Sequence, residues 1–251
     1  MTDPTPEVER WCNENLVIPN PDYAKKKRMG FWTGNIPREL VMYEIMGDKW
    51  VIPYGCLREL MPLFQSAQSI TTEFVDHGPP VFSAAVPLYD YQQAAIEAMI
   101  SAHYGILRSP AGSGKTQMGI ALAGKLGVRT LWLTHTIDLL NQSRDRAAQY
   151  VGAGSLGVIT SGKVFLGKTI TFATVQTMCR LDLTQYANYC DCIIVDECHR
   201  VAGTPTAVTQ FAKVLNALCA RHKYGLSATV HRADGLIRTT YALLGQIAYT
   251  V

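Results

Sequence analysis

The chain has 251 residues, of which 48% are hydrophobic; this fraction excludes an intrinsically disordered protein, and the length allows one large domain or a core domain with an accessory one. The N-terminus lacks the basic-then-apolar pattern of a signal peptide, and no apolar run reaches the ~20 residues that cross a bilayer, so we expect a cytoplasmic protein without a membrane partner. The formal net charge of +3 slightly favours a polyanionic partner, although ordinary surface charge is the alternative at this magnitude.

Residues 1–80 are predicted to form a small α+β accessory domain, which ends in a segment rich in glycine and proline. The Gly47-Asp48 pair predicts a hairpin turn between two short strands. The predicted elements of this domain are strands at residues 39–46 and 50–53 and a helix at residues 56–68. This segment carries 8 Lys and Arg residues against 11 Asp and Glu, a net charge of −3.

A basic run in this domain, Lys25 to Arg28, is followed closely by the aromatic residues Phe31 and Trp32. These side chains could contact a nucleic-acid backbone and stack on its bases. A solvated helix face or loop is the alternative, and the negative charge of the whole segment slightly favours it.

Strands and helices alternate after residue 80. The predicted strands are residues 105–108, 129–134, 157–160, 169–173, 191–195 and 223–227. The predicted helices are residues 91–103, 115–125, 137–150 and 206–221. Because this alternation is typical of a parallel sheet covered on both faces, we predict that residues 81–251 form an α/β, RecA-like domain.

The segment 109–116, with the sequence SPAGSGKT, lies between a predicted strand and a predicted helix, as a phosphate-binding loop does. Glycine at two positions lets backbone N–H groups turn towards phosphate oxygens, and the helix N-terminus adds its positive dipole. Lys115 is expected to reach the β- and γ-phosphates, and Thr116 to bind Mg²⁺. The usual first glycine of the pattern is Ser109 here. The residues expected to hold the nucleotide are Gly112, Ser113, Gly114, Lys115 and Thr116.

A second chemical signal is the apolar run Ile193-Ile194-Val195, which is followed directly by two acidic residues, Asp196 and Glu197. A buried parallel strand delivers such residues to the carboxyl edge of the sheet, where ligands bind. Asp196 is suited to hold Mg²⁺, and Glu197 to deprotonate the attacking water; Lys115 completes the predicted catalytic set. A solvated strand end is the alternative for an isolated Asp-Glu pair, but the phosphate-binding loop about eighty residues upstream favours the catalytic interpretation.

Asp196-Glu197-Cys198-His199 is similar to the DExH box of superfamily 2 helicases, and further motifs follow the order of that family. The closest resemblance is to the group that contains XPB-type and UvsW-type helicases and type III restriction motor subunits, and it covers residues 88–251. In this group Ser227 and Thr229 of the Ser-Ala-Thr motif, with His199, would link the nucleotide to the nucleic acid. Gln92 resembles the adenine-reading glutamine of the family.

The resemblance also implies contacts with a nucleic-acid backbone. The residues that match these family positions are Thr134, Thr174, Gln176 and Arg232. The run after the Ser-Ala-Thr motif departs from the family pattern because Ala233 stands where a glutamate is usual, which puts a strand-wedging role in doubt. Threonine at strand ends is also common without any ligand.

The resemblance therefore implies an ATP-dependent DNA helicase or translocase that uses Mg²⁺ and ATP. A motor of this family needs a second RecA-like domain in the same protein, and 251 residues leave no room for one, so we expect these residues alone to hydrolyse ATP weakly or not at all.

The alternatives are an RNA-directed DExH helicase and a non-catalytic ATP-binding regulatory module; four chemically intact positions argue against the latter. These positions are Lys115, Thr116, Asp196 and Glu197.

Overall fold

A computed structural model describes residues 4–64, 82–229 and 236–251 of the chain. The first part, residues 4–64, combines short helices with two antiparallel strand pairs, β1 with β2 and β3 with β4, and is of the predicted α+β type. Its elements are α1 (Pro6–Asn15), β1 (Val17–Pro19), α2 (Pro21–Arg28), β2 (Glu39–Val41), β3 (Glu44–Met46), β4 (Lys49–Val51) and α3 (Leu57–Leu60).

The predicted hairpin is present, and Gly47 adopts the left-handed conformation (φ 65°) that its turn requires. The prediction of one continuous strand over residues 39–46 was wrong. The strand is interrupted at residues 42–43, so that β2 pairs with β1 whereas β3 pairs with β4. The predicted helix 56–68 is also shorter: only α3 is α-helical, and 3-10 turns flank it. Pro62 explains the end, since it has no N–H to continue the helix. Residues 65–68 of that prediction lie outside the described residues.

The central sheet has eight strands in the order β12-β5-β11-β10-β6-β9-β7-β8. In chain order these are β5 (Tyr104–Arg108), β6 (Thr130–Thr134), β7 (Gly157–Thr160), β8 (Lys163–Phe165), β9 (Ile170–Thr174), β10 (Cys192–Asp196), β11 (His222–Ser227) and β12 (Ile247–Thr250). All pairings are parallel except that of β7 with β8. The six predicted strands are therefore confirmed to within two residues, whereas β8 and β12 were not predicted.

Helices cover both faces of this sheet, as predicted for a RecA-like domain. They are α4 (Asp90–Ala102), α5 (Lys115–Leu126), α6 (Ile137–Val151), α7 (Val175–Met178), α8 (Pro205–Ala217) and α9 (Ile237–Leu244). Successive residues of β10 alternate between two apolar clusters: Ile193 and Val195 pack with α7, α8 and α9, whereas Ile194 packs with α4, α5 and α6. In the described parts of the chain, no helix combines the length and apolar character needed to cross a membrane.

The N-terminal part packs directly against the sheet domain at α9. Val8 and Leu60 belong to the same apolar cluster as Leu243. A Cβ atom on Gly55 would lie 2.3 Å from the backbone nitrogen of Gly245, so only glycine permits this close approach. This packing places residues 4–64 beside the strand β5 that leads into the phosphate-binding loop. The division of the chain at residue 80 remains a prediction.

Candidate nucleotide-binding site

The predicted phosphate-binding loop connects β5 to the N-terminus of α5 at the carboxyl edge of the sheet. Gly112 (φ 80°) and Gly114 (φ 83°) both adopt the left-handed conformation, and Gly114 is the N-cap of α5. A Cβ atom at Gly114 would lie 2.6 Å from Nε2 of Gln92. The loop can therefore turn its N–H groups and the helix N-terminus towards one point, as an anion requires.

Ser109 occupies the position where the loop pattern usually has glycine. Its backbone has a negative φ, so it needs no glycine. Its N–H donates to the carbonyl oxygen of Ser227 (2.9 Å), and its hydroxyl is hydrogen-bonded to that of Ser113. The main-chain bond to β11 does not depend on the side chain, and the serine hydroxyl adds a hydrogen bond within the loop.

Lys115 is the first residue of α5, and its ammonium group bridges the loop. Nζ donates to the carbonyl oxygens of Ser109 (3.3 Å) and Pro110 (3.2 Å). These bonds are long, and phosphate oxygens are stronger partners for an ammonium group. Thr116, one residue later, is partly exposed at the start of the same helix. Both side chains therefore fit the roles predicted for them towards phosphate and magnesium.

Asp196 ends β10 and is almost fully buried. Both of its carboxylate oxygens accept hydrogen bonds: Oδ1 from the backbone N–H of Glu197 (3.0 Å) and Oδ2 from the hydroxyl of Ser143 (3.0 Å). Burial raises the pKa of Asp196, and the bond from Ser143 opposes this shift. A divalent cation would offset the cost of burying this charge, so the site fits the predicted magnesium ligand. Sequence reasoning did not identify Ser143.

Glu197 adopts a left-handed backbone conformation (φ 49°), which is strained for a residue with a side chain. This conformation turns the chain sharply at the end of β10 and leaves the carboxylate half-buried. Its Oε2 lies 3.2 Å from Nδ1 of His199. The hydrogen bond from His199 lowers the pKa of Glu197 despite its burial, and the charge of Lys115 lowers it further. A general base must be deprotonated to accept a proton, and the lowered pKa keeps Glu197 ionised at neutral pH.

His199 connects this carboxylate to the end of β11. Its Nδ1 also lies 3.0 Å from the hydroxyl oxygen of Ser227, which donates in turn to the carbonyl of Thr229 (2.7 Å). A proton on Nδ1 of His199 satisfies both neighbours, because Glu197 and Ser227 can then each accept from it. Hydrogen bonds therefore connect the three residues predicted to link the nucleotide to the nucleic acid, which are His199, Ser227 and Thr229. Thr229 takes part through its main-chain carbonyl.

Gln92 lies at the start of α4 and is buried against the loop. Its Nε2 donates to the carbonyl of Ser113 (2.8 Å), and its Oε1 accepts from the N–H of Tyr89 (3.0 Å). Tyr91 donates from its hydroxyl to the same carbonyl (3.1 Å). The amide thus fixes the loop to α4; its adenine-reading role stays a prediction.

The predicted nucleic-acid contacts lie at the carboxyl ends of the neighbouring strands β6 and β9. Thr134 and Thr174 are paired across these strands, and both hydroxyls bond locally, that of Thr134 to the carbonyl of Thr136 (3.0 Å). Nε2 of Gln176 lies 3.1 Å from Nδ1 of His135, the residue that follows Thr134 in the chain. The structure therefore brings three of the four candidates together, and their contact with nucleic acid stays a prediction. Arg232 lies outside the described residues.

Comparison with known proteins agrees with this geometry. Residues 85–232 match the family model described as "Type III restriction enzyme, res subunit". The chain belongs to this family. The membership confirms the group of superfamily 2 helicases that the DExH box and its accompanying motifs indicated.

Individual relatives support the same assignment. The chain is 29% identical over 170 residues to the DNA 3'-5' translocase XPB2 of Sulfurisphaera tokodaii, an alignment that covers 68% of this chain and 37% of that protein. It is 31% identical over 131 residues to the probable helicase D10 of Escherichia phage T5, covering 52% and 28%. The chain thus spans about a third of the length of these relatives. The UvsW helicase of bacteriophage T4 has the same fold, with a TM-score of 0.70 at 15% identity over 98% of this chain and 94% of that one.

Proposed function

We propose that this chain is the ATP-binding motor domain of an ATP-dependent DNA helicase or translocase. The observation that carries the proposal is the link from Glu197 through His199 to Ser227, beside a loop lysine at one edge of the sheet. This arrangement would combine phosphate binding and a general base with a hydrogen-bonded connection to the end of β11, the strand next to β10. The choice of DNA rests on family relatives that are named as DNA translocases.

In the proposed reaction, the amides of the loop and the N-terminus of α5 bind the phosphates of ATP. Lys115 would exchange its two carbonyl partners for phosphate oxygens, and Thr116 and Asp196 would hold the magnesium ion. When bound, Mg²⁺ neutralises phosphate charge and orients the γ-phosphate. Glu197 accepts a proton from the water that attacks the γ-phosphorus, and the bond to the leaving ADP oxygen breaks. His199 keeps Glu197 ionised and oriented throughout.

We infer that a second RecA-like domain, outside these 251 residues, closes the site with a further cation. In phosphoryl-transfer enzymes an arginine supplied from outside the nucleotide-binding domain contributes roughly 10³–10⁵ in rate. The chain covers about a third of its relatives' length, which leaves them ample room for such a domain. Motor activity would then belong to the pair of domains.

The first test compares ATP turnover by these 251 residues with turnover by a longer form of the protein that includes the second domain. We expect weak turnover from the former and DNA-stimulated turnover from the latter, measured by phosphate release with duplex DNA, single-stranded DNA and RNA. Stimulation by RNA alone would favour the RNA-directed alternative, and nucleotide binding without turnover the regulatory one. Stimulated turnover by the monomeric 251-residue chain would contradict the need for a second domain.

We also propose that residues 1–80 contribute to nucleic-acid binding. The helix α2 buries none of its residues, and its last turn consists of Lys25, Lys26, Lys27 and Arg28. The side chains of Phe31 and Trp32, just beyond it, are 60% and 84% exposed. Exposed aromatic rings next to clustered positive charge suit both the bases and the backbone of a nucleic acid. The alternative is that these cations only stabilise the C-terminus of α2 through the helix dipole.

Replacing Lys26 and Lys27 with glutamine is expected to weaken DNA binding roughly fivefold, because two phosphate contacts are lost. The slope of log affinity against log salt concentration should also become shallower by about two. Fluorescence anisotropy at several salt concentrations measures both quantities. The matched control is Lys49→Gln, an exposed lysine of the same region outside this run. An unchanged salt slope in the double variant would assign the basic run to helix stability.

A further inference from the structure

Ser143 lies in the middle of α6 and is buried, with 2% of its surface exposed. Its hydroxyl donates to Oδ2 of Asp196, 53 residues away in the sequence, at 3.0 Å. The other oxygen of that carboxylate accepts from the N–H of Glu197. Two donors on different elements therefore hold the carboxylate of Asp196 in one orientation.

A serine hydroxyl within a helix normally faces solvent or bonds to the carbonyl four residues earlier. Ser143 instead makes a buried bond to a different element, and its partner is the predicted magnesium ligand. Side chains that bind a metal are commonly oriented by hydrogen bonds from a second set of residues, whose loss weakens metal affinity. A neutral donor suits this position, because a cation there would compete with the metal ion for the carboxylate charge.

We propose that Ser143 is a positioning residue for the magnesium site, acting by holding Asp196 in the orientation that receives the ion. The inference rests on the proposed Mg-ATP function and adds a residue that none of the motifs contains. It places the support of the metal ligand on α6, whose N-cap Thr136 lies two residues after the predicted nucleic-acid contact Thr134.

The test is the magnesium requirement for nucleotide binding, which needs no turnover. A fluorescent ADP analogue is titrated into the protein at a series of Mg²⁺ concentrations, and binding of Mn²⁺ is followed separately by electron paramagnetic resonance. Ser143→Ala should raise the half-saturating Mg²⁺ concentration about tenfold and weaken Mn²⁺ binding similarly. Nucleotide binding without metal should stay within about twofold of the original protein, since Ser143 contacts Asp196 and not the loop.

Two further variants separate positioning from general packing. Ser143→Thr keeps the hydroxyl and should restore most of the magnesium affinity. Thr130→Val removes another buried hydroxyl, at the opposite end of β6, and should leave the magnesium requirement unchanged even where it lowers the melting temperature. A Ser143→Ala protein with the original magnesium requirement, or a Ser143→Thr protein that matches the alanine variant, would overturn the inference. Nucleotide binding that is indifferent to Mg²⁺ in the unaltered protein would overturn the proposed function itself, and with it this inference.

Discussion

Replacing Glu197 with glutamine is expected to abolish ATP turnover and to leave ATP binding intact. Glutamine preserves the size and shape of the side chain and can still accept a hydrogen bond from His199, but it cannot take a proton from water at neutral pH. Loss of a general base lowers turnover by roughly 10²–10⁴-fold. In a longer form of the protein that includes the proposed second domain, phosphate release measures turnover, and a fluorescent ATP analogue measures binding.

The matched control for this variant is Glu97→Gln on α4, an exposed glutamate that forms an ion pair with Lys125 (3.7 Å) away from the site. Its turnover should equal that of the unaltered protein. Turnover near the original rate in Glu197→Gln would show that another group is the base. A large loss of ATP affinity would instead mean that Glu197 contributes to binding.

The parts of the site that follow one strand could be predicted from the sequence. A buried parallel strand must deliver its next residues to the carboxyl edge of the sheet, so Asp196 and Glu197 were placed correctly once the sheet was predicted to be parallel. The same reasoning located Lys115 at the start of a helix after β5. In each case chain direction and hydrophobic pattern carry the information.

The parts that depend on contacts between distant elements could not be predicted. Nothing local marks Ser143, because its role comes from the packing of α6 over the sheet next to Asp196. Likewise, the negative φ of Ser109 shows why the loop tolerates serine there, and a sequence pattern contains no backbone angles. Local chemistry also limits the helix predicted over residues 56–68, because Pro62 has no N–H to continue it.

Cutting the connection between His199 and Ser227 is expected to separate ATP hydrolysis from nucleic-acid stimulation. Ser227→Ala removes the hydroxyl that lies 3.0 Å from Nδ1 of His199 and leaves the contact of His199 with Glu197 in place. A coupling free energy of about 2 kcal/mol between two sites corresponds to a roughly 30-fold loss of stimulation by DNA. The measurement is turnover with and without saturating DNA, and Ser101→Ala on the exposed side of α4 is the control.

His199→Ala should cause the same loss of stimulation, together with a change in the pH profile that Ser227→Ala does not cause. The hydrogen bond from His199 is the main cause that lowers the pKa of Glu197, so its removal raises that pKa. Because the base works only when deprotonated, activity is lost as the pH falls through this pKa, and the acid limb of the profile should move to higher pH. The double variant should lose no more stimulation than either single variant, since both cut one connection. Additive losses would mean that the two residues act on stimulation by separate routes, and the contact between them would then be structural only.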